Sequence, residues 1–265
     1  MKLKQFEGLT VLLTGATGGF GEAAARRFYD EGANLVLSDL PEGPLNVLAS
    51  RFDSTRVASL AGSVGEEKLA ADLVQLALDS FGSLDIAINN AGIAHPLQRL
   101  PQIDSEVARR VIDIDLMSVF YAMKYQLPVL EKQFREQGRK GAIVNVASVA
   151  GVAGAPTASI YAAAKHGVVG LTKSAALEYA RRGVRINALC PSFARTPMVM
   201  KMLDAQVASG QATAEEAEAH LTRGIPARRL AEVSEVIEGL IFAASPANSF
   251  YTGQTLHVDG GMTAT

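Results

Sequence analysis

Short runs of hydrophobic residues alternate along the chain with longer segments of helical periodicity. The short runs cover residues 9–13, 34–38, 56–60, 85–89, 142–147, 185–189 and 255–258. Several are hydrophobic at nearly every position, which indicates strands buried on both faces. The longer segments cover residues 19–31, 66–81, 104–137, 157–182 and 233–244. This alternation predicts an α/β fold: one doubly wound domain over residues 1–265, with a seven-stranded parallel sheet flanked by helices.

Composition and charge limit the classes of partner that this domain is expected to bind. The 25 basic and 27 acidic residues give a net charge of −2, which does not suggest a nucleic-acid partner. The single cysteine, Cys190, excludes an internal disulfide and predicts a plain buried thiol. The first hydrophobic run begins at Leu9, and no stretch approaches the roughly 18 apolar residues of a membrane helix. We expect a soluble cytoplasmic protein with no membrane partner and, because its four histidines lack ligand spacing, no catalytic metal.

A glycine-rich turn, Thr14-Gly15-Ala16-Thr17-Gly18-Gly19-Phe20-Gly21, follows the first strand and opens the first helix. The N–H groups of such a turn and the positive end of the helix converge on one point, which favours a pyrophosphate. We expect Gly15 to allow the tight turn, Gly19 the approach of phosphate, and Gly21 the packing of the helix. The alternative is an ordinary strand-to-helix loop. The predicted cofactor contacts in the turn are Gly15, Thr17, Gly18, Gly19, Phe20 and Gly21.

Two further strand ends carry polar residues that suit a dinucleotide. Asp39 lies 18 residues after Gly21, where a carboxylate accepts hydrogen bonds from an adenosine ribose and repels a 2′-phosphate. Thr17, Gly18 and Leu40 bring no positive charge, so the sequence favours NAD over NADP; the alternative is a solvated strand-end carboxylate. Asn89-Asn90-Ala91-Gly92 follows the fourth strand. These asparagines either tie strand-end loops together or line the cofactor cleft; we expect contacts at Asn89, Ala91 and Gly92.

Tyr161, Lys165 and Ser148 form a candidate proton-transfer group. Tyr161 and Lys165 are four positions apart in a predicted helix, which places both on one face. A phenol ordinarily has a pKa near 10, so it needs positive charge nearby to act as a base at neutral pH. Ser148 follows the fifth strand, where its hydroxyl can hold a substrate oxygen as charge develops. Tyr161 is then a general base for alcohol oxidation and a general acid for ketone reduction.

These motifs resemble the short-chain dehydrogenase/reductase family over nearly the whole chain, from the glycine turn to Val258-Asp259-Gly260-Gly261. The resemblance implies a Rossmann-like fold, the roles just given for Ser148, Tyr161 and Lys165, and contact of Tyr161 and Lys165 with the cofactor. It also implies nicotinamide contacts after the sixth strand, at Pro191, Thr196 and Ile186. Members of the family pair through two long helices, which implies a homotetramer or homodimer through residues 104–137 and 157–182.

The chain departs from the family pattern at three places. Asp115 replaces an asparagine that, in the family, kinks a long helix and holds a water molecule. That water leads the proton relay to the lysine. We expect Asp115 to order the relay and to shift alcohol oxidation toward alkaline pH; the alternative is a solvated carboxylate without a role. Ser63-Val64 stands where the family usually has an aspartate that contacts the adenine. We still expect Ser63 and Val64 to contact the cofactor. Ser192 replaces a glycine after Pro191.

The inferred function is hydride transfer between NAD and a secondary alcohol or ketone, with a small molecule as substrate. Residues 192–229 form a candidate substrate lid, whose Met198, Met200 and Met202 suit an apolar, cyclic or steroid-like substrate or simply seat the lid. His95 either borders the substrate pocket or caps its loop. Two alternative functions stay open: a catalytically silent dinucleotide sensor, and a same-fold epimerase or dehydratase, whose members usually carry a further C-terminal domain.

Overall fold

Seven parallel strands form a single sheet at the centre of the protein. The computed structural model describes residues 4–210 and 212–264. The strands stand in the order β3-β2-β1-β4-β5-β6-β7, so the chain reverses its direction of strand addition between β1 and β4. This order confirms the predicted doubly wound sheet. The strands are β1 (Thr10–Thr14), β2 (Asn34–Ser38), β3 (Val57–Ser59), β4 (Ile86–Asn89), β5 (Gly141–Val146), β6 (Val184–Pro191) and β7 (Thr255–Val258).

Helices cover both faces of this sheet. Along β1, Val11 and Leu13 pack into one hydrophobic layer and Leu12 into the other, as alternation along a strand requires. The first layer is completed by α1, α2 and α9, and the second by α3, α5 and α6. The helices are α1 (Gly19–Asp30), α2 (Glu42–Ala49), α3 (Glu67–Phe81), α4 (Ser105–Ile112), α5 (Ser118–Gln137), α6 (Ser159–Tyr179), α7 (Pro197–Ala208), α8 (Ala214–Thr222) and α9 (Val233–Ala244). No helix in the described ranges is long and apolar enough to cross a membrane.

Two helical segments differ from the sequence prediction. Residues 104–137 were expected as one helix, but a π-helical turn, Asp113–Met117, separates α4 from α5. Asp104 caps the start of α4 by accepting hydrogen bonds from the N–H groups of Glu106 and Val107. Helix α2 was not predicted, since Gly43 and Pro44 weaken its pattern; proline is nevertheless tolerated in a first helical turn.

Helices α7 and α8 lie in the segment 192–229, between β6 and α9. Their own small hydrophobic cluster contains Leu203, Ala217 and Leu230, with Met200 packed against it. Met198, by contrast, is 50% exposed. Met200 therefore packs within this segment, whereas Met198 does not.

Arg185 joins β6 to the end of α9. Its guanidinium donates hydrogen bonds to the carbonyl oxygens of Ala243, Ala244, Ser245 and Tyr251, at 2.9–3.2 Å. A cation at a helix C-terminus also complements the negative end of the helix dipole. Arg185 therefore holds α9 against the strand that leads to Pro191.

We expect Arg185→Met to lower the free energy of unfolding by about 2–4 kcal/mol, because it leaves several carbonyl oxygens without donors. Urea unfolding followed by circular dichroism measures this loss. Arg185→Lys keeps the charge with fewer donors and should lose less. Arg26→Met, at an exposed ion pair with Glu22, is the matched control and should change stability little. A loss in Arg185→Met no larger than in the control would contradict this role.

Candidate active site

The carboxyl ends of the central strands bring the predicted site residues to one edge of the sheet. The glycine turn follows β1, the segment Asn90-Ala91-Gly92 follows β4, Ser148 lies just beyond β5, and Pro191 ends β6. Because all strands are parallel, these ends share one edge. The strand order reverses between β1 and β4, and ligands in open α/β sheets bind at such a reversal.

The glycine turn packs closely against its surroundings. Gly15 has a φ of +65°, and a Cβ atom there would lie 2.9 Å from the Cα atom of Ala91. A Cβ atom on Gly21 would lie 2.0 Å from the carbonyl oxygen of Gly15, so only glycine lets α1 sit this close. Gly19 differs from expectation: it faces Pro197, whose Cδ atom would be 2.8 Å from an added Cβ. Gly19 thus lets the base of α7 rest on the turn.

The start of α1 is open to an anion. Its N-cap residue, Gly18, has no side chain to accept hydrogen bonds from the first N–H groups of the helix. Such groups require a partner, and an anion at a helix N-terminus supplies one. The turn therefore fits the pyrophosphate of a dinucleotide. Phe20 packs partly into the hydrophobic layer beneath it.

Asp39 lies beside the glycine turn, as its spacing predicted. Its Oδ2 atom accepts hydrogen bonds from the N–H group of Thr17 at 2.8 Å and from the Thr17 hydroxyl at 2.6 Å. Its Oδ1 atom accepts one from the N–H group of Leu40 at 2.8 Å. A carboxylate offers about four acceptor sites, so Asp39 keeps capacity for a ribose hydroxyl. The Leu40 side chain is 61% exposed.

The two asparagines after β4 have different roles. The Asn90 side chain donates to the carbonyl oxygens of Thr14 and Gly15, at 3.0 and 3.1 Å, and so ties this loop to the end of β1. The buried Asn89 side chain instead exchanges hydrogen bonds with Gln126 and donates to Asn145 at 2.8 Å. This placement differs from the predicted cofactor contact, because the Asn89 amide is satisfied inside the protein.

A buried amide network thus lies behind the site, and sequence reasoning missed it. Asn145 also donates to the Thr172 hydroxyl of α6 at 2.9 Å. The signal was an asparagine within the otherwise hydrophobic strand Gly141–Val146, where a polar side chain needs buried partners. The network joins β4, β5, α5 and α6 directly beneath Ser148 and Lys165.

The remaining predicted contacts fall on two loops and one strand. Thr196 caps α7, and its hydroxyl accepts from the N–H group of Val199 at 3.4 Å. The hydroxyl of Ser63 accepts from the N–H group of Gly65 at 3.3 Å, and Val64 packs against the layer containing α3. Ile186 lies in the middle of β6, paired with Ile143 and fully buried, so the predicted nicotinamide contact there is wrong.

Ser148, Tyr161 and Lys165 meet at the end of β5. The Ser148 oxygen accepts from the N–H group of Ala150 at 3.2 Å, which leaves its O–H free to donate. The Lys165 Nζ atom lies 5.5 Å from the centre of the Tyr161 ring. It donates to the carbonyl oxygen of Val146 at 3.2 Å and is almost completely buried. Ser148 and Tyr161 are partly exposed.

Asp115 is the counter-ion of Lys165. The π-helical turn buries this carboxylate completely, and its Oδ2 atom lies 3.3 Å from the Lys165 Nζ atom. Its Oδ1 atom accepts from the N–H group of Ile93 at 2.8 Å. A Cβ atom on Gly92 would lie 3.3 Å from that Nζ atom and 3.4 Å from Oδ2, so glycine lets the loop cover the pair. The alternative of a solvated Asp115 is therefore wrong.

Burial and charge act in opposite directions on this pair. Burial raises the pKa of Asp115, and the Lys165 ammonium and the Ile93 N–H group only partly oppose it. Burial lowers the pKa of Lys165, but the Asp115 carboxylate does most to oppose this, by its charge and by hydrogen bonding, and that pKa is left raised. Lys165 accordingly holds its proton. Nearby Cys190 is a buried thiol, as predicted, whose pKa burial raises to about 11.

Buried polar atoms without a hydrogen-bond partner collect at this same edge. Within the described residues they are the hydroxyl of Ser38, Nε2 of His95 and Oδ2 of Asp115. Ser38 ends β2, and Asp115 contacts the loop after β4 on which His95 lies. Oδ2 of Asp115 is offset by the Lys165 ammonium at 3.3 Å, so among the described residues the Ser38 hydroxyl and Nε2 of His95 are the two buried atoms without a polar partner.

Comparison with known proteins agrees with this geometry. The family model described as enoyl-(acyl carrier protein) reductase matches residues 15–263. The cis-4-hydroxycyclohexanecarboxylate dehydrogenase of Sinomonas cyclohexanicum is 40% identical to this chain, over 96% of each. The cyclohexanol dehydrogenase of Acinetobacter sp. (strain SE19) is 36% identical, over 98% of this chain and 97% of the relative.

Solved structures superpose closely on the chain. A 3-ketoacyl-(acyl-carrier-protein) reductase from Brucella melitensis complexed with NADH has a TM-score of 0.88 and 30% identity, covering 97% of this chain and 99% of that one. ElxO with NADP bound has a TM-score of 0.87 and 28% identity, with the same coverage. The chain therefore belongs to the short-chain dehydrogenase/reductase family and is an oxidoreductase of that family.

Proposed function

We propose that this protein is an NAD(H)-dependent alcohol dehydrogenase/ketone reductase acting on a secondary, apolar, cyclic alcohol. The observation that carries the proposal is the buried Lys165–Asp115 pair beside Tyr161, with Ser148 at the adjoining strand end. Lys165 supplies a fixed positive charge, Tyr161 a proton acceptor, and Ser148 a hydrogen-bond donor for the substrate oxygen. All three lie at the edge of the sheet that carries the glycine turn. The similar cyclohexanol and hydroxycyclohexanecarboxylate dehydrogenases support a six-membered ring as substrate.

In alcohol oxidation, the Ser148 hydroxyl donates a hydrogen bond to the substrate oxygen and fixes it beside Tyr161. The Tyr161 oxygen takes the hydroxyl proton, and the Lys165 ammonium stabilises the negative charge on the groups that share this proton. A bound nicotinamide supplies the hydride acceptor for the carbinol hydrogen. In ketone reduction Tyr161 returns the proton to the same oxygen.

The chain's own residues fit a dinucleotide. The open N–H groups at the start of α1 suit the pyrophosphate, and the spare acceptor site of Asp39 suits a ribose hydroxyl. A carboxylate at this position disfavours a 2′-phosphate, which supports NAD over NADP. Similar proteins have been solved with NADH and with NADP, so the choice rests on Asp39. Lys165 would contact the nicotinamide ribose, and Pro191 and Thr196 would contact the nicotinamide ring.

Asp115 is proposed as a relay residue that acts through Lys165. Its negative charge, 3.3 Å from the ammonium, offsets part of the positive charge that assists Tyr161. This loss of assistance to Tyr161 is greatest while Asp115 is ionised. Alcohol oxidation by this chain should therefore need a higher pH than oxidation by a variant with a neutral amide at this position.

Two further features of the proposal concern the whole molecule. Residues 192–229 act as a substrate lid on a single domain, since α7 begins against the glycine turn at Gly19. The molecule forms a homotetramer or homodimer through α5 and α6. Exposed hydrophobic side chains support this: Phe120 on α5 is 41% exposed and Leu177 on α6 is 85% exposed.

Tyr161→Phe tests the enzyme directly. We expect NADH formation from cyclohexanol, measured at 340 nm, to fall by about a thousandfold, because removing the phenol oxygen removes the general base. Repeating the assay with NADP tests the cofactor preference. Tyr179→Phe, at the end of α6, is the matched control and should keep its activity. Equal rates in wild type and Tyr161→Phe would contradict the mechanism; NADH binding without any alcohol turnover would favour a dinucleotide sensor.

Asp115→Asn tests the relay. In the Asp115→Asn variant, the pH at which kcat for alcohol oxidation increases should be lower by about one unit. The reason is that Lys165 then acts without an opposing charge. The measurement is the pH profile of kcat and of kcat/KM between pH 6 and pH 11. Asp113→Asn, two residues earlier, is the control. Superimposable profiles would rule out an electrostatic role for Asp115.

Leu177→Glu tests the assembly. Light scattering after gel filtration should give four or two times the 27.9 kDa chain mass for the wild type and a smaller multiple for the variant, since the new charge opposes burial of α6. Val47→Glu, at a 56% exposed position on α2, should leave the mass unchanged. A wild-type mass of one chain would refute the assembly.

A further inference from the structure

His95 has one satisfied and one unsatisfied ring nitrogen. Its side chain is buried, with 7% of the residue exposed, although both neighbours in the chain are exposed. The Nδ1 atom lies 2.7 Å from the carbonyl oxygen of Pro96. A carbonyl oxygen only accepts hydrogen bonds, so Nδ1 carries the hydrogen and the neutral ring presents Nε2 as an acceptor. No polar group among the described residues pairs with Nε2.

The segment carrying His95 is anchored on one side to Asp115 and on the other to the loop that precedes Tyr161. Two residues earlier, the N–H group of Ile93 is bound by Asp115. Three residues later, the N–H group of Gln98 donates to the carbonyl oxygen of Thr157 at 2.9 Å. A chain of two or three residues reaches at most about 7–11 Å, so His95 stays close to both anchors.

The second anchor is itself a strained position. Thr157 has a φ of +66°, a region that residues other than glycine rarely adopt. It lies four residues before Tyr161, in the connection from Ser148. Strained backbone of this kind is found where surrounding contacts hold a functional loop in place. The loop of His95 is thereby fixed against the loop that leads from Ser148 to Tyr161.

Capping of the loop accounts for the contact of Nδ1 of His95 but not for the burial of its Nε2 atom. The contact with Pro96 uses Nδ1, whereas burial of a free Nε2 acceptor is unfavourable without a donor. The Ser38 hydroxyl, at the end of β2, is a second unpartnered atom at this edge of the sheet, whereas Oδ2 of Asp115 faces the Lys165 ammonium. Nε2 therefore belongs with the atoms that the fold leaves for ligands.

We propose that His95 is a specificity-determining residue whose Nε2 atom accepts a hydrogen bond from a second hydroxyl group of the substrate. The substrate class is then a cyclic alcohol with a further hydroxyl away from the reacting carbon. This inference rests on the proposed alcohol dehydrogenase function and names its substrate more closely.

The test compares cis- and trans-1,4-cyclohexanediol with 4-methoxycyclohexanol, which keeps the second oxygen but lacks its hydrogen. For the wild type, kcat/KM should favour the better diol over the methoxy compound by about 10- to 100-fold, as expected for a site built around a hydroxyl donor. His95→Phe should bring this ratio close to one. His95→Gln, whose amide oxygen accepts hydrogen bonds, should restore part of it. His257→Phe, at an exposed position on β7, is the control.

Folding of each variant is checked by circular dichroism and by binding of NADH. An unchanged ratio in a folded His95→Phe variant would overturn the proposal, as would a wild-type ratio near one. If the wild type binds NADH but oxidises no alcohol, the proposed function fails while His95 remains testable. The readout is then quenching of bound NADH fluorescence by the two compounds; equal dissociation constants would overturn the role of His95.

Discussion

The buried ion pair of Lys165 and Asp115 fixes three segments that are distant in sequence. Lys165 comes from α6, Asp115 from the turn between α4 and α5, and the Ile93 N–H group from the loop after β4. Two charges buried together are tolerated only when further hydrogen bonds satisfy them. Val146 and Ile93 supply those bonds through their backbones. Because each segment satisfies part of the pair, displacing one would leave a charge uncompensated.

The π-helical turn explains how a carboxylate reaches this position. An extra residue in one helical turn rotates the following side chains, so the same helix can direct Asp115 inward and still pack α5 on the sheet. Close approach of α6 completes the arrangement: a Cβ atom on Gly167 would lie 2.8 Å from Leu116 of the turn. Gly92 covers the pair from the opposite loop. The two glycines therefore permit the close packing around the two charged side chains, which are almost completely buried.

The sequence predicted the features that depend on local pattern. Hydrophobic runs located the strands, and the glycine turn located the start of α1, because both follow from backbone and side-chain periodicity. The orientation of Asn89 was not predictable, since it depends on Gln126 and Asn145 from elements far along the chain. Ile186 was placed by analogy near the cofactor, although a residue in the middle of a fully buried strand cannot reach the sheet edge. The burial of Asp115 likewise depends on tertiary packing.

Two sets of polar side chains lie at the site, one behind the other, and they have different roles. Behind it, Asn89, Asn145 and Thr172 satisfy one another, and a fully paired buried network holds its elements in one register. In front, one oxygen of Asp115 and one ring nitrogen of His95 each bind the backbone, while the second Asp115 oxygen faces the Lys165 ammonium and Nε2 of His95 has no partner among the described residues. The paired atom fixes the side chain, and the unpaired atom can then meet a ligand without reorganisation. Groups held in this way lose little conformational freedom when a ligand binds, which favours binding at this edge of the sheet.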